Sequence, residues 1–158
     1  MALGTPATRA LTASGIRFTA HAYDHDPANR HFGLEAVSAL ALEAERVFKT
    51  LLADVDGRLA VAVVPVTGSL DLRALAATLG AKRAAMADPK RAERKTGYVV
   101  GGISPIGQKT RLATVLDESA LRYDTVFVSG GKRGFDIELS PEDLVAATSA
   151  ILAAIARS

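Results

Sequence analysis

Lys49 stands where a lysine needs a reason. In Val47-Phe48-Lys49-Thr50-Leu51-Leu52, strand alternation puts Val47, Lys49 and Leu51 on one face and Phe48, Thr50 and Leu52 on the other. Both faces are mostly apolar, so the segment reads as buried on both sides. A lysine there either snorkels to an edge or lies in a pocket. In a pocket its ammonium requires an anionic partner or a lowered pKa. Two glycine-rich segments follow. GGISPIGQKT over 101–110 superficially resembles the phosphate-binding loop of nucleotide triphosphatases. That motif needs Lys directly after its last Gly, and here Gln108 intervenes, with no strand-then-long-helix pattern around it. What remains is an ordinary turn or a Gly-Pro loop that turns backbone N–H groups toward a ligand. Such groups hold a carbonyl oxygen as it gains charge. SGGKRG over 129–134 is a tight basic turn between strands, and Asp136 follows on a strand whose Phe135, Ile137 and Leu139 share one face. Asp136 and Glu138 therefore point the other way, to solvent or into a cleft beside the glycine loops.

Other chemistries are excluded. Cysteine is absent, which removes disulfides, thiolate metal sites and a cysteine nucleophile. His21 and His25 are four apart, but they fall in strand and loop, where that spacing does not converge on a metal. Neither a metal nor a cofactor is expected. No G-x-S-x-G elbow and no Ser-His-Asp set is recognisable. The net charge of +2, from 19 basic and 17 acidic residues, does not announce a nucleic-acid binder. The distribution says more. Lys82, Arg83, Lys90, Arg91, Arg94 and Lys95 fall in one stretch, and Lys109, Arg111, Lys132 and Arg133 in two loops. This is either a basic surface that attracts phosphates or a solvated face.

These residues need elements to position them. Thr5-Pro6 caps a first helix that Gly15 ends, and Phe18 to Tyr23 alternates as a strand. Leu34, Val37, Leu40 and Ala41 recur at helical spacing. The Lys49 strand turns at Asp56-Gly57 into Leu59 to Val64 as a hairpin. Asp71 opens a helix closed by Gly80, and Asp88-Pro89 opens a short charged one. Thr125 to Val128 and Phe135 to Leu139 are strands around SGGKRG. Ser140-Pro141-Glu142-Asp143 starts a C-terminal helix with Leu144, Thr148, Ile151 and Ile155 on one face. Helices and strands mix without regular βαβ alternation, which favours an α+β fold. The 158 residues fit one domain over 1–158, 49% hydrophobic and able to bury a core unaided. No apolar run approaches the roughly 20 residues of a membrane span. The first residues lack the pattern of a secretory signal, so a cytoplasmic location is expected.

Taken in order, the segments TPA (5–7), YDHDP (23–27), FGLEA (32–36), VFKTL (47–51), MADPK (86–90), TGYVVGGISPIGQK (96–109) and SGGKRG (129–134) resemble the YbaK family. These are free-standing aminoacyl-tRNA deacylases related to the editing domain inserted in bacterial prolyl-tRNA synthetase. The resemblance implies a single compact domain with a mixed barrel-like sheet and surrounding helices. It implies Cys-tRNA(Pro) as substrate, prolyl-tRNA synthetase as partner, and attack by the substrate's own thiol on its ester carbonyl. Lys49 matches the family's essential lysine, and Gly101 its backbone group near the substrate carbonyl. Tyr23, Phe32, Thr50 and Asp136 match pocket positions, with Gly102, Ser129 and Gly131 beside them. Arg94, Lys95, Lys109, Lys132 and Arg133 are the candidates for tRNA contact. Water-mediated hydrolysis of Ala-tRNA(Pro) or another small misacylated tRNA is the alternative reaction, and a non-catalytic tRNA- or synthetase-binding module the alternative class.

Overall fold

A computed structural model describes residues 4–158. The first helix, α1 (Pro6–Ala13), starts where expected. Thr5 accepts a hydrogen bond from the Thr8 N–H, the Thr8 side chain accepts one from the Thr5 N–H, and Pro6 occupies the first turn. Strand β1 is Thr19–Ala22, helix α2 Phe32–Leu40, and β2 (Phe48–Val55) and β3 (Arg58–Pro65) form the hairpin. The Asp54 carboxylate accepts the Gly57 N–H at 2.8 Å and closes that turn. After β4 (Ser69–Leu70) come α3 (Leu72–Thr78), capped by Asp71, then β5 (Ala84–Met86) and α4 (Pro89–Thr96), capped by Asp88. The glycine-rich stretch leads into β6 (Ala113–Asp117). The remaining elements are β7 (Val126–Lys132), β8 (Phe135–Leu139), α5 (Pro141–Thr148), β9 (Ile151–Ala153) and β10 (Ala156–Arg157).

The fold is α+β with mixed sheets. Five strands run in the order β5-β2-β3-β6-β9, antiparallel from β5 to β3 and parallel from β3 through β6 to β9. A second, antiparallel sheet has the order β1-β8-β7. A parallel bridge between Val47 and Phe127 joins the two at a corner, which gives the barrel-like wrap. One core lies between the sheets, around Phe48, Leu52, Val61, Val63, Phe135 and Ile137. A smaller one, around Ala53, Ala62, Val64, Leu75 and Ile155, lies on the other face of β2 and β3.

The C-terminal helix is shorter than its periodicity suggests. Leu144 is buried on α5, but the helix stops at Thr148 with Ser149 left-handed at φ 57°. Ile151 instead pairs with Val115 as β9 runs beside β6, and Ile155 is fully buried in the smaller core. Long-range capture overrides the local pattern here. Asp117, buried at the end of β6, accepts the N–H groups of Ile155 and Ala156 at 2.9 and 3.0 Å. Strand β6 itself carried no signal in the periodicity. Ile155→Ala is expected to cost about 2–5 kcal/mol, as cavity-creating core changes do, seen as a lower urea midpoint. A residue on an exposed helix face would cost less than about 0.5 kcal/mol, and such a value would refute the buried placement.

Candidate active site

Strand β2 is paired unevenly, and the site follows from that. On one edge β3 matches it from Phe48 to Val55. On the other edge β5 pairs only with residues 53–55, and the bridge at Val47 joins β7. Between them, β2 residues 48–52 form the wall of a cavity of about 420 Å³. Tyr23, Phe32, Lys49, Thr50, Gly101, Ser129 and Asp136 all line it. These seven residues come from six separate parts of the sequence and meet in one space. Val47, Leu51, Val66, Met86, Ala87 and Pro89 supply apolar wall.

Each polar group arrives there for a local reason. Lys49 stands opposite Val64 in the β2–β3 ladder, half-buried, with no ion pair among the described residues. Thr50 is its neighbour on the opposite strand face, and its buried hydroxyl has no hydrogen-bond partner among the described residues. Asp136 lies in β8, the central strand of its sheet, with Ser129 of β7 as its cross-strand partner. Asp136 as a residue is only 8% exposed, and its carboxyl has no hydrogen-bond or ion-pair partner among the described residues. Burial pushes it up to about 7. Tyr23 is pushed up to about 12 by burial and then by the negative charges of Asp136 and Glu35. Tyr23 is held where its N–H donates to the Gly134 carbonyl at 2.9 Å.

The two glycine segments touch at Gly102, where a Cβ would lie 2.7 Å from the Lys132 Cα and 2.9 Å from the Arg133 nitrogen. Gly101 must be glycine on two counts. Its φ is +88°, and a Cβ would sit 2.6 Å from the Phe32 ring. Its N–H donates to no group among the described residues. Gly102 and Gly131 do not line the cavity. They pack behind it, Gly131 against Tyr98 and Thr5. Helix α1 is thus the backstop of both segments, since the Thr5 hydroxyl donates to the Gly130 carbonyl at 2.5 Å and Gly107 abuts Pro6.

The basic candidates divide. Arg94 and Lys95 are exposed in the last turn of α4. Lys109 is exposed beside them, because its N–H and that of Thr110 donate to the Thr96 and Lys95 carbonyls. Lys132 is exposed at the end of β7. Arg133 is turned inward. Its Nε donates to the Val100 carbonyl at 2.9 Å, and its guanidinium lies 5.1 Å from the Phe32 ring centre. The histidines serve separate pairs, His21 with Glu138 at 2.9 Å and His25 with Glu35 at 2.6 Å. Sequence reasoning missed Val66, Met86 and Leu34 in the wall and the His25–Glu35 pair beside Phe32. Val66 and Met86 reach the wall from segments distant in sequence, and the His25–Glu35 pair spans a loop, which no periodicity joins.

The arrangement offers a cation, a carboxyl, a hydroxyl and a backbone N–H around a small, partly apolar space. Ser129 is the serine in the wall, and its hydroxyl accepts from the Gly131 N–H at 3.2 Å with no histidine bonded to it. The site is therefore equipped to hold and polarise an ester rather than to supply the attacking atom. Residues 31–147 match the aminoacyl-tRNA editing domain family. A protein of Enterococcus faecalis, EbsC, named as a Cys-tRNA(Pro)/Cys-tRNA(Cys) deacylase, is 42% identical over 79% of this chain and 77% of its own. The uncharacterized protein YwhH of Bacillus subtilis is 30% identical over 70% of each chain. A crystal structure described as a trans-editing enzyme for prolyl-tRNA synthetase superposes with a TM-score of 0.82 at 26% identity, covering 99% of this chain and all of the other. With the family model spanning more than half its length and the cavity built from the expected residues, this chain belongs to the aminoacyl-tRNA editing domain family and is an aminoacyl-tRNA deacylase.

Proposed function

We propose that this deacylase clears Cys-tRNA(Pro), and that the substrate's own thiol is the nucleophile. The observation that carries the reading is a cavity rich in binding groups and poor in attacking ones. The chain has no cysteine, and the wall serine has no base. Its largely apolar wall admits a short apolar or thiol side chain, and the likeness to EbsC supports cysteine. In the reaction the cysteine Sγ bonds to the ester carbonyl carbon and the carbon–oxygen bond to the terminal ribose breaks. The thiol proton ends on the ribose oxygen. A cyclic thiolactone and free tRNA leave. Lys49 holds the carbonyl or a nearby phosphate by a charge-assisted contact. The Gly101 N–H stabilises the oxyanion. Asp136 takes the α-amino group or the terminal ribose, and Tyr23, Phe32 and Thr50 bend the aminoacyl group toward attack. Folding the side chain back in this way supplies much of the rate through positioning. The exposed Arg94, Lys95, Lys109 and Lys132 face the phosphates of the tRNA. Prolyl-tRNA synthetase is the partner that confers tRNA choice.

Early trapping of the released product tests this. Cysteine thiolactone is expected before free cysteine, and Ser-tRNA(Pro), with a hydroxyl of far higher pKa, is expected to react at least about tenfold more slowly. Free cysteine carrying solvent oxygen from the first turnover, with Ser-tRNA cleaved equally well, would replace the thiol by an activated water. Cleavage of Ala-tRNA(Pro) at a comparable rate would do the same.

A further inference from the structure

We propose that Arg133 is a positioning residue whose guanidinium aims the Gly101 N–H at the reacting carbonyl, rather than a contact to tRNA phosphate. The inference rests on the oxyanion role proposed for Gly101 above. Arg133 donates from Nε to the Val100 carbonyl at 2.9 Å. Peptide groups are planar, and no cis peptide occurs among the described residues. The Gly101 N–H therefore points away from the Val100 carbonyl, and whatever holds one directs the other. The peptides on either side of it are held as well. The Val100 N–H donates to the Glu93 carboxylate at 2.8 Å, and the Gly102 N–H to the Val99 carbonyl at 2.8 Å.

Arg133 also connects three segments that meet at the cavity. It comes from the β7–β8 turn, bonds to the glycine loop and lies 5.1 Å from the centre of Phe32, the first residue of α2. Phe32 in turn fills the space a Gly101 side chain would occupy. A planar guanidinium does both jobs at once, donating along its edge and stacking by its face. A lysine ammonium supplies the charge without the stacking plane. With Nε bonded to a carbonyl and the guanidinium over a ring, Arg133 is anchored to the glycine loop, unlike its exposed neighbour Lys132.

The test compares wild type with Arg133→Met, which keeps the aliphatic stem, and Arg133→Lys, which keeps the charge. Single-turnover deacylation of Cys-tRNA(Pro) gives the rate, and tRNA binding between 50 and 200 mM salt gives the slope. Both variants are expected to lose about 10- to 100-fold in the single-turnover rate, with tRNA affinity and salt slope unchanged. The Gly101 amide signal in a ¹⁵N NMR spectrum is expected to shift in both. Restoration of activity by Arg133→Lys, a shallower salt slope with the rate intact, or an unmoved Gly101 amide would each overturn the proposal. The amide signal is read without substrate, so it stands even if wild type fails to cleave Cys-tRNA(Pro). That failure would count against the proposed reaction alone. Should Arg133→Met fail to fold, Arg133→Lys carries the same comparison.

Discussion

Lys49→Ala is expected to lower kcat/KM for deacylation by about 10²–10³-fold, the scale of losing one preorganised donor to a developing negative charge, with little change in thermal stability. The two halves of this expectation come from one observation. The Lys49 ammonium forms no ion pair among the described residues, and its strand is held by the backbone ladder to β3. Removing it therefore breaks no internal pair and leaves no buried partner stranded, the usual source of a large stability loss. A structural lysine on this strand would behave in the reverse way, with stability lost and chemistry spared. The measurement is single-turnover deacylation together with a melting curve for the same preparation. Near-normal activity in a folded variant would remove Lys49 from the reaction. Lys49→Arg separates charge from shape. The bulkier fork has to fit in a cavity of about 420 Å³ that Leu51 and Val66 also line, and is expected to restore only a small part of the rate.

Asp136→Asn is expected to stabilise the fold while damaging the site. Asp136 is an acid whose folded pKa is raised from the ordinary carboxylate range to about 7 by burial. In the unfolded chain it ionises near pH 3.9. Below that value both states are protonated and the residue costs nothing. As pH rises from about 4 to 7 the unfolded state releases its proton first, so the folded state loses ground throughout this window. Above pH 7 the penalty is constant. About three pKa units at about 1.4 kcal/mol each set a ceiling of roughly 4 kcal/mol. Urea midpoints of wild type and variant should therefore coincide near pH 3.5 and diverge up to pH 8, the asparagine form being the more stable. Parallel curves across that range would mean the carboxyl is solvated. A buried carboxyl kept at this cost with no partner of its own suits a group whose partner is the substrate.

How much of this was written locally can be judged residue by residue. Strand alternation placed Asp136 opposite Phe135, Ile137 and Leu139, and that is its geometry. Alternation alone leaves open whether the other face meets water or a cavity. That is decided by β1 and β7 flanking β8, and by a glycine loop and α2 arriving from elsewhere. Lys49 was legible as a misfit because a charge between apolar faces violates the binary pattern. Capping signals at Thr5, Asp71, Asp88 and Ser140 hold in the structure because each is a bond within three residues. The end of the chain was misread for the opposite reason. Ile151 and Ile155 have helical spacing, but a carboxylate 38 residues away takes the Ile155 N–H and a parallel neighbour takes Ile151. Arg133 likewise looks like any loop cation until Val100 and Phe32 are brought to it.

The backstop formed by α1 bears on where this domain can be cut. The segment that matches the editing family begins at residue 31 and stops at 147. A fragment trimmed to those limits keeps Lys49, Gly101 and Asp136, and on paper retains the machinery. It discards Tyr23, the β1 partner of β8, the Thr5 hydroxyl that holds Gly130 and the Ile155 that fills the smaller core. Recognisable sequence and self-sufficient structure have different borders in this protein. Residues 4–30 before the match and 148–158 after it act as scaffolding for a centre they hardly enter. Transplanting the activity into another polypeptide, or splitting it into complementing halves, has to respect the second set of borders and not the first.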